Sequence, residues 1–310
     1  MKTLPPLALI AGPTASGKSA LALALAKLTP SVIINADSMQ VYRDLRIVTA
    51  RPSEDEEAQA PHRLFGYIDG AEACSAARWA DDAKLAISSA HADGRLPIIV
   101  GGTGLYIRTL LDGIAPVPPI DPMVRAEVRA LTVGDMYLAL RQEDAAAADR
   151  LAAADSTRVA RALEVVRSTG VPLKAWQSER AGGIGNAIRL APMILLPPRP
   201  WLFERCDARF GEIFEHGQKE VAALVARGLD AALPVMRAIG VAEIAAFQAG
   251  RLSRIEAMTA GSLATRQYAK RQFTWFRRQM PESWSRSPDT LDVNKVHEFA
   301  IMLRDMALTP

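Results

Sequence analysis

Cysteine is scarce in this 310-residue chain: Cys74 and Cys206 stand far apart and neither belongs to a CxxC pair. That excludes a disulfide framework and a thiolate zinc cluster, and both thiols read as buried. Histidine is equally thin, and His62, His91, His216 and His297 show no i, i+4 pairing that would hold a metal. No apolar run is long enough to span a bilayer, and the one after Pro6 is cut at Gly12. With no leader pattern ahead of it, a cytoplasmic protein without membrane contact is the expectation. Aromatics make up only 6% and net charge only +3, with no internal repeat or low-complexity tract. A composition of 49% hydrophobic and 23% charged residues is that of a globular chain with a sizeable core. Its length suggests about two domains.

The most specific pattern present is Gly12-Pro13-Thr14-Ala15-Ser16-Gly17-Lys18-Ser19, which matches G-x-x-x-x-G-K-[ST] at every fixed position. Leu7–Ile10 ahead of it reads as a buried strand and Ala20–Leu28 after it as a helix. A strand, a glycine turn and a helix start make an anion site: backbone N–H groups and the positive helix end face a phosphate. Lys18 adds a charge, and the Ser19 hydroxyl is placed to ligand Mg²⁺ carried by the phosphates.

Val32–Ile34 reads as a second strand, Trp79–Ala92 as a helix and Leu96–Val100 as a third strand ending in Gly101-Gly102-Thr103-Gly104. This βαβ rhythm predicts an α/β fold, a P-loop-type parallel sheet flanked by helices. The phosphate loop, Asp37-Ser38 and Gly101–Thr103 then fall at the carboxyl ends of strands and should converge on one crevice. Prolines cluster at Pro116–Pro122 and again at Pro192–Pro200, bracketing a helical stretch without strand signals. The expected division is a core of 1–117 and 192–310 with an all-helical insertion at 118–191. Gly182-Gly183-Ile184-Gly185-Asn186 follows no strand and reads as a flexible loop of the insertion. Met193–Leu196 resumes the sheet, long helices follow from Trp201 to Met280, and a last one runs from about Val293 to Met306.

Asp37 has three open readings: water-mediated Mg²⁺ binding, acceptance of a proton from a nucleophile, or capping of the following turn. The segment Thr265–Arg278 holds five basic residues, four aromatics and no acid. Such interleaving suits a polyanion that also offers flat bases, or an amphipathic helix with core aromatics and solvated cations. Further basic clusters at Arg158/Arg161/Arg167 and Arg199/Arg205/Arg209 favour a nucleic-acid partner.

Taken in order, GPTASGKS at 12–19, NADSMQVYRDL at 35–45, Thr49–Pro52, Pro61-His62, VGGTGLYI at 100–107, STRVARALEV at 156–165, RAIG at 237–240 and ATRQYAKRQFTWFRR at 264–278 resemble the tRNA dimethylallyltransferases. The bacterial type is indicated, since no zinc finger follows the last helix. The resemblance implies transfer of a dimethylallyl group from dimethylallyl diphosphate to N6 of the adenosine 3′ of the anticodon, in tRNAs reading codons that begin with U. It implies that residues Gly12 to Ser19 hold a diphosphate leaving group, with Mg²⁺ at Ser19, although pattern alone would label the loop an ATP site. It assigns Asp37 as proton acceptor, Thr103 to the adenosine and Arg209 to the diphosphate.

Implied tRNA contacts are Asp37, Ser38, Met39, Gln40, Thr103, Arg125, Thr157, Arg158, Val159, Ala160, Arg161 and Arg237. Lys270 and Arg271 are expected near the tRNA or the crevice, with Phe273 and Trp275 packing. A monomer is expected. One departure stands out: Val241-Ala242 follow Gly240 where many members carry an aromatic and then a basic residue. The rival readings are an adenylate isopentenyltransferase and a P-loop small-molecule kinase.

Overall fold

The computed structural model describes residues 4–309. Six parallel strands form one sheet: β1 (Pro6–Ala11), β2 (Ser31–Asn35), β3 (His62–Arg63), β4 (Leu96–Gly101), β5 (Arg189–Leu195) and β6 (Ser285–Ser287). Their spatial order is β3-β2-β4-β1-β5-β6, as an α/β fold with crossover helices requires. β1 is buried along Leu7–Ala11 because it is central and covered on both faces. On one face, Ile10, Ile33, Ile98 and Met193 pack with Leu21 and Leu25 of helix Lys18–Leu28 and with Phe299 and Leu303 of helix Val293–Leu308. Leu9, Ile34, Ile99 and Ile194 are also buried and alternate to the other face.

Register places the functional loops together. Ala11 pairs with Gly101 and Asn35 with Val100, so the chain leaves β1, β2 and β4 at the same edge. The ladder continues past the strands: the Ala36 amide donates to Val100 O at 2.7 Å and the Thr103 amide to Ala36 O at 3.1 Å. Gly101 must be glycine, since a Cβ there would lie 2.2 Å from the Ala36 carbonyl. Behind this edge, Trp79 of helix Ala76–Ala92 donates its indole N–H to Asn35 O at 2.8 Å and stacks on Tyr106 at 4.6 Å. Among the described residues, the chain divides into two compact units, residues 4–110 with 185–309, and Leu111–Ile184.

The smaller unit is helical, with principal helices Pro122–Ala130, Val133–Glu143 and Ser156–Thr169. Each begins at a side-chain cap, Asp121, Thr132 and Asp155 respectively. Their shared core is Val128, Met136, Leu140, Val159, Ala162 and Leu163. Within it Glu164 is a buried carboxylate that accepts from Arg129 Nε at 3.1 Å.

Some expectations need correction. Gly182-Gly183 is not a loose loop, because Ala181 exchanges both backbone hydrogen bonds with Ile114 at 3.1 Å each. A Cβ on Gly183 would approach Leu111 O to 2.5 Å, so that glycine permits close backbone packing. Gly185 and Asn186 fall in the larger unit, in the 3₁₀ turn Gly185–Ala187. β5 starts at Arg189 and so contains Pro192, tolerated because β6 pairs only from Met193 onward. β3 and β6 were not expected; at two and three residues they are too short and polar to show a strand period.

Helix Arg254–Gln279 opens on a capping box between Ser253 and Glu256 and crosses helix Arg199–His216 at Gly261. There the fully buried Phe210 ring fills the space of a side chain, and a Cβ on Gly261 would lie 1.8 Å from its Cζ. Gly261→Ala should therefore lose about 1–3 kcal/mol in urea unfolding through overpacking. Gly211→Ala, in a helix with no neighbour within 4 Å, should gain about 0.5–1 kcal/mol by helix propensity. Equal effects at the two sites would contradict this packing.

Candidate active site

The phosphate loop is bent through three residues with positive φ, Gly12 (152°), Ala15 (63°) and Gly17 (94°). Gly12 lies against the sheet, where a Cβ would come within 2.5 Å of Leu195 O. Gly17 is the N-cap of helix Lys18–Leu28 and makes no side-chain cap, so the first-turn amides stay available to an anion.

Two helices distant in sequence hold the loop from outside. From helix Arg199–His216, Arg205 Nε donates to Ala15 O at 3.0 Å and Arg209 Nη1 to Thr14 Oγ1 at 3.3 Å. These arginines sit one helical turn apart. Arg205 also lies over the Trp201 ring at 4.7 Å. From helix Arg254–Gln279, Gln272 Oε1 accepts the Thr14 amide at 2.8 Å. Beneath the loop Ala15, Leu202, Cys206 and Ala269 form a small apolar cluster, with Phe273 packed against it. Trp275 packs its ring over Gly104, so both aromatics are packing groups here, as expected.

Asp37 stands where β2 leaves the sheet. Its amide donates to Asn35 Oδ1 at 2.8 Å, and its own Oδ1 accepts the Met39 amide at 2.9 Å. Asn35 Nδ2 closes the turn on Asp37 O and Leu64 O, both at 3.0 Å. The turn-capping reading is thus realised without removing Asp37 from the crevice. Thr103 Oγ1 accepts the Ser38 amide at 2.9 Å, tying the ends of β2 and β4 together.

Two cavities meet at Thr14, Asp37 and Arg209. The first carries Lys18, Ser19, Glu56 and Gly101 on its walls. The second is more apolar, walled by Met39, Val48, Ile213 and Ile239, with Tyr268 and the exposed Arg237 and Arg271. Thr49 and Ala50 border both. Their loop is held by Gln40 Nε2, which donates to both their carbonyls at 2.9 Å. It is also held by Glu220, whose carboxylate accepts the amides of Arg46, Ile47 and Val48.

Charge at the junction is poorly solvated. Burial lowers Lys18 to about 7, partly countered by Asp37, and its Nζ folds onto Pro13 O at 2.6 Å. Burial raises Asp37 above the usual carboxylate range, opposed by the Met39 amide and Lys18. Arg209 is lowered by burial and by the nearby Arg205. Tyr268 is raised by burial and by the Asp37 charge. An anion bound against Lys18 and Arg209 would favour their charged forms and offset this effect of burial.

The structure therefore brings Gly12–Ser19, Asp37–Gln40, Arg209, Arg237 and Arg271 into one unit around these cavities, with Lys270 exposed beside Arg271. Thr103 lies in the same unit but lines neither cavity and meets their wall through the Ser38 amide. Arg125, Thr157, Arg158, Val159, Ala160 and Arg161 belong to the helical unit. There Val159 is fully buried in the core, Arg158 pairs with Asp155 at 3.3 Å, and Arg125 and Arg129 flank Glu164. Sequence reasoning missed Gln272, Glu220 and Tyr268 and named Arg205 only within a cluster. Gln272 had a signal, as a polar residue in a helical stripe of Thr265, Ala269 and Phe276.

Comparison with known proteins bears on this arrangement. The family model described as IPP transferase matches residues 40–279. A tRNA dimethylallyltransferase of Sphingopyxis alaskensis is 61% identical over 305 residues, covering 98% of this chain and 100% of that protein. The crystal structure of a full-length tRNA isopentenylpyrophosphate transferase from Bacillus halodurans superposes with a TM-score of 0.70 at 30% identity, over 97% of this chain and 96% of that one. Crystallographic snapshots of a eukaryotic dimethylallyltransferase acting on tRNA give a TM-score of 0.74 at 27% identity, over 88% of this chain and 70% of that one.

The cavity electrostatics yield a binding test with inorganic pyrophosphate by calorimetry. Lys18→Ala and Arg209→Ala should each weaken binding at least about tenfold, the usual scale for a lost charge-assisted hydrogen bond. Asp37→Asn, which removes a negative charge from the same walls, should leave affinity unchanged or improve it. Weaker binding in Asp37→Asn would mean that the carboxylate serves the anion.

Proposed function

The chain belongs to the IPP transferase family, and on that premise we propose that its two adjoining cavities hold a prenyl diphosphate and an extruded adenosine of tRNA, with Asp37 between them. Its relatives are tRNA dimethylallyltransferases, and the activity this supports is transfer of the dimethylallyl group to tRNA, at N6 of the adenosine next to the anticodon as the motif resemblance implies. The observation that carries the site assignment is the shared wall. Thr14, Asp37 and Arg209 border both the cavity of the phosphate loop and the apolar cavity beside it.

In the proposed reaction the diphosphate of dimethylallyl diphosphate lies against the amides of the Gly12–Ser19 loop, with Lys18 and Arg209 opposite its charge. The C1–O bond breaks and its electron pair stays on the diphosphate oxygen, leaving positive charge on the allylic carbon. The adenine N6 lone pair forms the new bond to C1, and the N6 proton passes to Asp37. A carboxylate raised by burial, as Asp37 is, is a better proton acceptor than an ordinary one.

Among the described residues no group of three His, Cys, Asp or Glu forms a metal cage, while Ser19 stands on the wall of the loop cavity. The Ser19 hydroxyl would help to hold Mg²⁺ arriving with the diphosphate, and the ion would neutralise charge on the leaving group.

A base stacked in an anticodon loop cannot reach this depth, so the adenosine must leave its stack. Met39, Val48 and Ile239 offer an apolar surface to the base, and Thr103 holds the adjacent Ser38 turn. Arg237, Lys270 and Arg271, with Arg125, Arg158 and Arg161 of the helical unit, are proposed to take tRNA phosphates. No helix of the described residues is long and apolar enough to cross a membrane. A free adenylate would make no use of those peripheral arginines, which favours tRNA as acceptor.

Radiolabel from dimethylallyl diphosphate should enter unmodified tRNA and not AMP or ATP offered in competition. Asp37→Ala should lower the rate about 10²–10⁴-fold, the range for a lost general base. Label entering free adenylate in preference to tRNA would overturn the acceptor assignment. An unimpaired Asp37→Ala enzyme would remove the role of Asp37.

A further inference from the structure

Gln272 is a buried amide, 6% exposed, whose two ends are both engaged. Its Oε1 accepts the Thr14 amide at 2.8 Å and its Nε2 donates to Gly102 O at 2.8 Å. The partners fix the amide's orientation, because a flipped group would set donor against donor and acceptor against acceptor. The surroundings are built to admit it. A Cβ on Gly102 would lie 2.2 Å from Nε2, and two residues on, Gly104 makes room for Trp275 of the same helix.

What Gln272 joins is more telling than its burial. Thr14 is the loop residue whose hydroxyl accepts from Arg209, and it borders both cavities. Gly102 precedes Thr103, whose hydroxyl accepts the Ser38 amide next to Asp37. One side chain therefore spans the phosphate loop and the loop that steadies the proton acceptor, from a helix 258 residues away in sequence. We propose that Gln272 is a positioning residue that holds these two loops in one register, so that the allylic carbon on one meets the amine beside the other. The inference rests on the prenyl-transfer reading above. Misplacement by about 1 Å can cost a reaction about 10²-fold while binding of each substrate persists.

The test is single-turnover transfer to tRNA with both substrates saturating. Gln272→Met keeps volume but pairs neither Thr14 N–H nor Gly102 C=O. It should slow transfer about 10²-fold while affinity for inorganic pyrophosphate and for tRNA changes less than about threefold.

Gln272→Glu supplies a readout that lost packing would not move. As a carboxylate it still accepts from Thr14 but opposes the Gly102 carbonyl, whereas as the neutral acid its O–H replaces the amide donor. Burial raises its pKa, so the ratio of variant to wild-type rate should climb about tenfold as pH falls through that pKa. A Gln272→Met rate within about threefold of wild type overturns the inference. So does a Gln272→Glu ratio that is flat with pH, which also decides the matter if Gln272→Met does not fold. Wild-type enzyme that fails to label tRNA would instead remove the functional reading, so the two failures are distinguishable.

Discussion

A backbone turn with Gly12, Ala15 and Gly17 all at positive φ cannot satisfy its own outward peptide groups, and the rest of the site is arranged around that fact. Arg205 takes the carbonyl of Ala15, Lys18 that of Pro13, and Gln272 the amide of Thr14. An unpaired buried peptide group costs roughly 1–3 kcal/mol, so these contacts decide whether the loop keeps its shape without a ligand. Those of Arg205 and Gln272 come from helices Arg199–His216 and Arg254–Gln279, which pack on each other through Phe210 and Gly261. The glycine at that crossing lets the helices approach closely enough to bring Arg209 and Gln272 to the loop. The geometry of an anion site near the start of the chain is thus set by packing near its end.

This division explains what could be read from the sequence. The phosphate loop was legible because strand, glycine turn and helix start are contiguous, and local chemistry alone demands each residue type. The central strands were legible for a different reason: a strand buried on both faces is an unbroken apolar run, as in Leu7–Ile10 and Ile98–Val100. Edge strands carry no such demand. Ser285–Ser287 pairs by backbone alone, and nothing in its side chains announces it. The contacts of Gln272 and Glu220 could not be read from the sequence because their partners lie more than a hundred residues away. The family motif covers Gln272 but does not say what the side chain does, and only its buried stripe marks it as unusual.

Arginines show a similar split between sequence and structure. Clustering near 158–167 suggested a cationic face, yet Arg158 pairs with Asp155 and Arg167 forks onto Glu143 at 2.7 Å. Arg125 and Arg129 share the buried carboxylate of Glu164. The exposed Arg158–Asp155 pair contributes at most about 1 kcal/mol, so a phosphate can displace it at little cost, whereas taking both arginines from Glu164 would leave a buried charge unpaired. Around the second cavity Arg237 and Arg271 are exposed and carry no carboxylate pair among the described residues, so no ion pair has to break when they meet a phosphate.

The position of the carboxylate separates alkyl transfer from phosphoryl transfer on the same kind of loop. Phosphoryl-transfer sites place an acidic metal ligand beside the phosphates. Here the strands flanking β1 end without an acid, β4 in Gly101-Gly102-Thr103 and β5 in Leu195-Leu196-Pro197. The acid at a strand end is Asp37 on β2, two strands from β1 and so about 10 Å across the sheet at the backbone. The Asp37 carboxylate reaches back to the wall of the loop cavity, where the proposed carbon and amine would meet. Burial raises the affinity of Asp37 for a proton, which a metal ligand would not use and a proton acceptor would. On the proposed reading, the bond broken is the one between the diphosphate and its carbon, with the phosphates left whole.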